Sequence, residues 1–203
     1  MSRRLMAMVA LSLCTGVASA ANVALGGAVT LTGPGFGDDS GWPAGTLAAP
    51  ATVTDGVFLL EGTQWNLGTV YWSDQGLMGN NTVTIMLNAA SIVTGITAQV
   101  DNNDDYGIEY LDTAGNWHSF ATIPAVSGWG MVTRSVSFAP VTATAFQLRG
   151  VGGDMLNSIS EFQAEGRVAP IPEPGTLALL GLALAGLAAS RRRARLSGGT
   201  SRR

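Results

Sequence analysis

The chain has 203 residues with no lysine, eleven arginines, one cysteine and one histidine. Nine arginines lie outside residues 21–166, and that stretch sets only Arg134 and Arg149 against thirteen acidic residues, a formal charge of −11. Such a body has almost no cations to replace phosphate counterions, which excludes a nucleic-acid partner. With Cys14 and His118 as the sole residues of their kind, a disulfide scaffold, a structural zinc site and a Cys-His nucleophile are excluded too.

At the N-terminus, Arg3 and Arg4 precede an apolar run, Leu5 to Leu13, that is far too short to span a bilayer. Ala18-Ser19-Ala20 then supplies a small-x-small cleavage site, which leaves Ala21 as the first mature residue. Residues 1–20 therefore read as a signal peptide for signal peptidase. A lipidated Cys14 is the rival reading, but Leu13 stands where that processing needs a small residue. After cleavage no cysteine remains, so the fold must stand on its core.

Residues 21–166 are rich in Gly, Thr, Val, Asn and Asp and show no amphipathic helix. Short alternating runs recur instead. Val83, Ile85 and Leu87 alternate with threonines and Met86, and Ile96, Ala98 and Val100 with Thr97 and Gln99. Tyr106, Ile108 and Tyr110 alternate with Gly107 and Glu109, and Phe146 and Leu148 flank Gln147. Period two is the pattern of a half-buried strand. Glycine and asparagine clusters at 33–37, 79–81, 115–116 and 128–130 separate the runs. Roughly eight to ten strands in one all-β domain, an antiparallel two-sheet sandwich, are predicted. A body of this length buries a core without disulfides. No G-x-S-x-G, P-loop or dinucleotide fingerprint is present.

Three stretches of this body resemble discoidin, or coagulation-factor type C, domains. Asn22-Val23-Ala24-Leu25-Gly26-Gly27 is similar to their opening, and Val53-Thr54-Asp55-Gly56 with Gln64-Trp65 to their early turn and tryptophan. Ala145 to Arg149, leading through Gly150–Asp154 to Ser158-Ile159-Ser160-Glu161-Phe162, is similar to their closing strand pair. The resemblance implies a galactose-binding-like jelly-roll β-sandwich, in which many members bind sugars or surface ligands through loops at one end. It also implies a structural calcium ion near Asp55. Asp38 and Asp39, in a glycine-rich loop, are further candidates for it.

Exposed aromatic rings are the usual platform for a sugar, because the apolar face of a pyranose stacks on an indole. Trp42 and Trp129 sit among glycines and proline and are the expected ligand-binding pair. Trp65, Trp72 and Trp117 adjoin strand-like runs and are expected in the core. Arg134 and Arg149 suit hydroxyl or carboxylate recognition through a planar fork; pairing with one of the thirteen acids is the competing, and for each one the preferred, reading. Asp101, Asp104 and Asp105, in the run Asp101-Asn102-Asn103-Asp104-Asp105, offer hard oxygen donors for calcium. A solvated turn is the preferred reading of that run. No catalytic residue is assigned, because thirteen acids always supply some pair and none sits in a recognisable catalytic context. His118 reads as an ordinary strand residue.

Pro170, Pro172 and Pro174 bar regular helix before Gly175. Residues 175–190 then form an uncharged apolar segment, and Arg191-Arg192-Arg193 follow at once. Sixteen residues fall short of the roughly 20 that cross a bilayer, but thinning and snorkelling absorb such a deficit. The expectation is one transmembrane helix, 175–190, with residues 191–203 cytoplasmic by the positive-inside rule. Residues 167–174 form a proline-rich linker containing Pro172-Glu173-Pro174. Motif, apolar segment and arginine cluster together resemble the PEP-CTERM sorting signal of Gram-negative bacteria. That resemblance implies an exosortase partner that cleaves near the motif. It implies an exported precursor anchored in the inner membrane, then a cell-surface or extracellular product. The expected role is binding of an extracellular polysaccharide rather than catalysis. A purely structural matrix component is the alternative, and a glycoside hydrolase a more distant one.

Overall fold

The computed structural model describes residues 21–43, 45–75, 80–170, 175, 179 and 181–187. Its strands are β1 (Ala21–Asn22), β2 (Ala28–Thr32), β3 (Val70–Ser73), β4 (Thr82–Asp101), β5 (Asp105–Leu111), β6 (Trp117–Ile123), β7 (Met131–Gly152) and β8 (Leu156–Val168). Among the described residues one 3-10 turn, Pro50–Thr54, lies between β2 and β3.

Alternation decides which face of each strand is buried. Val83, Ile85, Leu87, Ile96, Ala98, Val100, Phe146 and Leu148 all point into one core. The runs expected as separate strands at Val83–Leu87 and Ile96–Val100 form one strand of twenty residues, because pairing with β7 continues through Ser91–Val93 and the irregularities between the runs are bulges rather than turns. β7 is longer still, at twenty-two residues, and pairs antiparallel with β4 along both.

The first part of β4 pairs with β2, and its β7 partner carries β5 and then β6. Beyond Ser91 the same strand pairs with β8, whose far edge takes β1 and β3. The ladder slips between Met86 and Ser91 and again between Val93 and Gly95. There Phe138, Ala139 and Pro140 of β7 bulge opposite Thr94. Pro140 cannot donate to a ladder and is accommodated at this bulge. The bulges bend both strands, so each contributes to two packed layers. Trp72 against Tyr106, at 6.2 Å, and Phe146 against Phe162, at 5.5 Å, fill the space between.

Buried polar groups tie this core together. Asp74 Oδ2 accepts from Trp72 Nε1 at 2.9 Å and from Asn157 Nδ2 at 3.1 Å, and Oδ1 accepts from Asn81 Nδ2 at 2.6 Å. Trp117 departs from its expected core position: β6 is an edge strand, and the ring is 41% exposed.

The chain divides after Ala169 into two units. In the second, residues 179 and 181–187 are helical, and Leu179 N donates to Gly175 O at 2.8 Å. Among the described residues no helix is long and apolar enough to cross a membrane. The signal peptide with Ala18 and Ala20, the motif Pro172, Glu173 and Pro174, and residues 191–203 lie outside the described residues.

Candidate functional site

Antiparallel pairing brings the ends of four strands to one end of the sandwich. Asp101 of β4 pairs with Met131 of β7, and Asp105 of β5 with Gly152. The connections 102–104, 128–130 and 153–155 therefore lie side by side. Asp154 N donates to Asp104 Oδ1 at 3.1 Å, and Asn103 Nδ2 to Asp154 Oδ2 at 2.9 Å. Two outer loops complete the end. Gly62 N donates to Met131 O at 2.9 Å and Met131 N to Thr63 O at 2.8 Å, and Asn66 Nδ2 donates to Pro43 O at 3.4 Å.

Between these loops is a cleft of about 280 Å³, walled by Trp42, Trp65 and Trp129 and rimmed by Asp101, Asn102, Asn103 and Asp154. Trp129 is 60% exposed and Trp42 38%, whereas Trp65 is 5% exposed and forms part of the lining. The Trp42 ring lies 6.3 Å from Trp129, tilted by 48°, and 6.5 Å edge-on from Trp65. Trp65 in turn abuts Tyr71 at 5.4 Å. The structure thus brings the expected pair, Trp42 and Trp129, into one wall, and adds Trp65, Asn102, Asn103 and Asp154 to it. Trp65 was expected in the core because Gln64-Trp65 adjoins an apolar run; its burial fits that expectation, but one side of it still faces the cleft.

Trp129 owes its place to the residue after it. Gly130 has a φ of +64°, and a Cβ there would collide with the carbonyl oxygen of Thr63. Gly130→Ala is expected to cost about 2 kcal/mol, read as a lower urea midpoint. An unchanged midpoint would show that the loop tolerates a side chain there.

Neither expected arginine enters the cleft. Arg134 is 8% exposed, and its guanidinium donates inward to the backbone carbonyls of Asp104 at 3.1 Å, Pro124 at 2.5 Å and Asp101. It also sits over the Tyr106 ring, 5.6 Å from the centroid. The reason is steric and electrostatic: β7 points this side chain beneath the acidic 101–105 connection, whose carbonyls need donors once they are buried. Arg134 thus supports the rim from beneath. Arg149 pairs with Glu109 at 2.7 Å, on the β5 side of β7. Arg134→Met should therefore lower stability by about 3 kcal/mol, because three buried carbonyls lose a charged partner. Arg149→Met should cost about 1 kcal/mol or less. Equal losses in chemical denaturation would refute the distinction.

The carboxyls here differ in environment. Burial, reinforced by the charge of Asp154, pushes Asp101 up to about 6. Burial, with Asp154 and Asp101 beside it, pushes Asp104 up to about 8. Asp104 Oδ2 is fully enclosed with no hydrogen-bond partner among the described residues. Farther along β4 and β8, the slip between Gln99↔Glu161 and Val100↔Ile159 leaves Ser160 as an extra residue. Gln99 and Glu161 are consequently both buried. Gln99 clasps Leu59 through both backbone groups, at 2.7 and 2.9 Å. Glu161 Oε2 accepts from Gly56 N at 3.2 Å; burial pushes this acid up to about 7, and the charge of Asp55 adds to the shift.

Asp55 and the run Asp101–Asp105, the two separate calcium candidates, lie in different turns. Asp105 Oδ1 takes the Ala125 N–H at 2.6 Å, Asp104 Oδ1 takes that of Asp154, and Asp55 lies at the turn beside Glu161. Among the described residues no three Asp, Glu, His or Cys side chains converge on one point. His118 bonds Asp112 at 2.8 Å and stacks on Tyr110 at 4.9 Å on the edge strand.

Residues 170–193 match the PEP-CTERM protein-sorting motif. The chain carries that sorting motif. A search of the curated proteins returns no match. Solved structures do match. A family 32 carbohydrate-binding module from Clostridium perfringens NanJ, solved with galactose, is 15% identical with a TM-score of 0.51. The match covers 72% of this chain and 98% of that one. A second module from the same organism, solved with GalNAc-β-1,3-galactose, is 15% identical with a TM-score of 0.50, covering 72% and 99%. A striped bass (Morone saxatilis) serum fucolectin is 17% identical with a TM-score of 0.57, covering 77% of this chain and 52% of that one. At these identities the likeness concerns the fold, and it makes the body of the sorting-motif chain a galactose-binding-like β-sandwich.

Proposed function

We propose that this is an exported, surface-displayed protein whose sandwich binds carbohydrate in the cleft walled by Trp42 and Trp129. The observation that carries the reading is the cleft itself. Two large, exposed indoles from loops far apart in sequence meet at 6.3 Å, beside asparagine and aspartate side chains able to hold hydroxyls. Leaving such rings in water is unfavourable, and a pyranose face covers them while polar groups at the rim fix its orientation. The same fold carries galactose in the Clostridium perfringens module, which supports the reading by analogy. The role is binding without turnover. A glycan array probed with the full chain tests it: saccharide-specific signal is expected, and a blank array leaves the structural-matrix reading standing. A turnover assay on any glycan that binds should detect no hydrolysis.

The address is the other half of the proposal. The signal peptide sends the body across the inner membrane, and the segment 175–190 holds it there with the arginines inside. Exosortase then processes the chain at Pro172-Glu173-Pro174. Mass spectrometry of surface material should find an N-terminus at Ala21 and a C-terminus near Glu173 or Pro174. An intact Arg203 on that material would refute the sorting step, and a lipidated Cys14 the cleavage at Ala21.

A further inference from the structure

We infer that the cleft prefers cationic saccharides, amino sugars with free amines, over neutral ones, and rejects uronic acids. This rests on the saccharide reading above and narrows it. Three observations carry it. Among the described residues lining the cleft the ionisable side chains are both acids, Asp101 and Asp154, and no cation joins them; burial pushes Asp101 up to about 6, so in mild acid Asp154 is the carboxylate that an amine meets. The arginine closest in the fold, Arg134, lies beneath the rim with its guanidinium committed to the carbonyls of Asp101, Asp104 and Pro124. Arg149 is held by Glu109, and Arg167 lies near the opposite end of β8 from the cleft.

The second observation is the aromatic wall. An indole face is electronegative and attracts an ammonium held above it. Trp129 and Trp42 therefore act in the same sense as the Asp154 carboxylate, and Trp129, the more exposed, is the natural seat for the ring that carries the amine. The third is an unused donor. The Nε1–H of Trp65 is enclosed and has no hydrogen-bond partner among the described residues, while Trp65 itself lines the cleft. A buried donor without a partner costs free energy, so a small shift of Trp65 that brings this N–H to the cleft surface would be favoured by a sugar hydroxyl, which accepts, and not by an ammonium, which cannot. The ligand is thus a sugar that also carries positive charge, rather than a simple cation. The body charge of −11 repels anionic polymers before they reach the site.

The test titrates the full chain with glucosamine hexamer, N-acetylglucosamine hexamer and oligogalacturonate at mildly acidic pH, where the amines are charged. The expected result is at least about tenfold tighter binding of the glucosamine hexamer than of its N-acetylated form, equivalent to about 1.4 kcal/mol, and none of oligogalacturonate. Asp154→Asn should shrink that affinity ratio to near one. Raising salt until the Debye length is about 3 Å should do the same to wild type, which keeps the test decisive if the variant does not fold. Equal affinity for the two hexamers, or binding of oligogalacturonate, overturns the charge preference while leaving the saccharide reading intact. Binding of none of the three, with a blank glycan array, overturns both.

Discussion

Trp129→Ala should weaken saccharide binding by about 10- to 100-fold, and Trp129→Ala with Trp42→Ala should abolish it. The reasoning is areal and geometric. A large side chain covered by ligand contributes about 1.5–3 kcal/mol, and each 1.4 kcal/mol is tenfold in affinity. Trp129 offers the larger free face, at 60% exposed against 38% for Trp42, so its removal should cost more. Both sit in loops outside the strand ladders, and the fold should survive their loss with little change in melting temperature. Titration calorimetry with a glycan found on the array checks the affinities. Wild-type affinity in the double variant would exclude this cleft as the site.

The second large effect concerns pH. Asp101, Asp104 and Glu161 are buried, and burial raises them to about 6, 8 and 7. In the unfolded chain each ionises near 4. A group whose folded value is raised gives stability that is complete below its unfolded value and is lost as pH rises through the folded one. The domain should therefore be most stable near pH 4–5 and weaken steadily toward pH 8.5. Because Asp101 adds to the shift of Asp104, and relaxation and water penetration at the rim stabilise the charges that form there, the expected loss is only about a third of the face-value sum, on the order of 4 kcal/mol. For a body of this size that is ~10 °C in melting temperature. The depressed carboxyl of Asp112, held by Asn116 and His118, works in the opposite sense but only at more acidic pH. Thermal melts across this range give the answer directly. A flat profile, or a maximum at alkaline pH, would contradict the burial of these carboxyls. Glu161→Gln should remove part of the slope.

Alternation at Val83–Leu87, Ile96–Val100 and Phe146–Leu148 was enough to read the class of fold and its buried faces. Strand continuity was not: the alternation breaks between Val83–Leu87 and Ile96–Val100, and only the register shows that a bulge, opposite Pro140 on the partner strand, carries the strand on. The burial of Gln99 and Glu161 follows from one extra residue, Ser160, which period-two reasoning does not see. At the site, glycine and proline neighbours marked Trp42 and Trp129 as exposed, since such loops pack little. That Asp154 would join them depends on the pairing of Asp105 with Gly152, which only the sheet register reveals. For Arg134 an internal partner was the preferred reading, but that its partners are backbone carbonyls rather than an acid depends on the loop conformation, since a planar fork suits both.

Indole fluorescence of a Trp117→Phe variant, titrated to saturation with a glycan found on the array, tests the central claim most directly. Trp117 is the exposed indole outside the cleft, so its removal leaves Trp42 and Trp129 as the solvent-facing reporters among the described residues. A saccharide seated on them removes water from both rings. The emission should shift to the blue and be shielded from a soluble quencher in proportion to occupancy. Saturation with unchanged emission and unchanged quenching would place the sugar elsewhere and contradict the account.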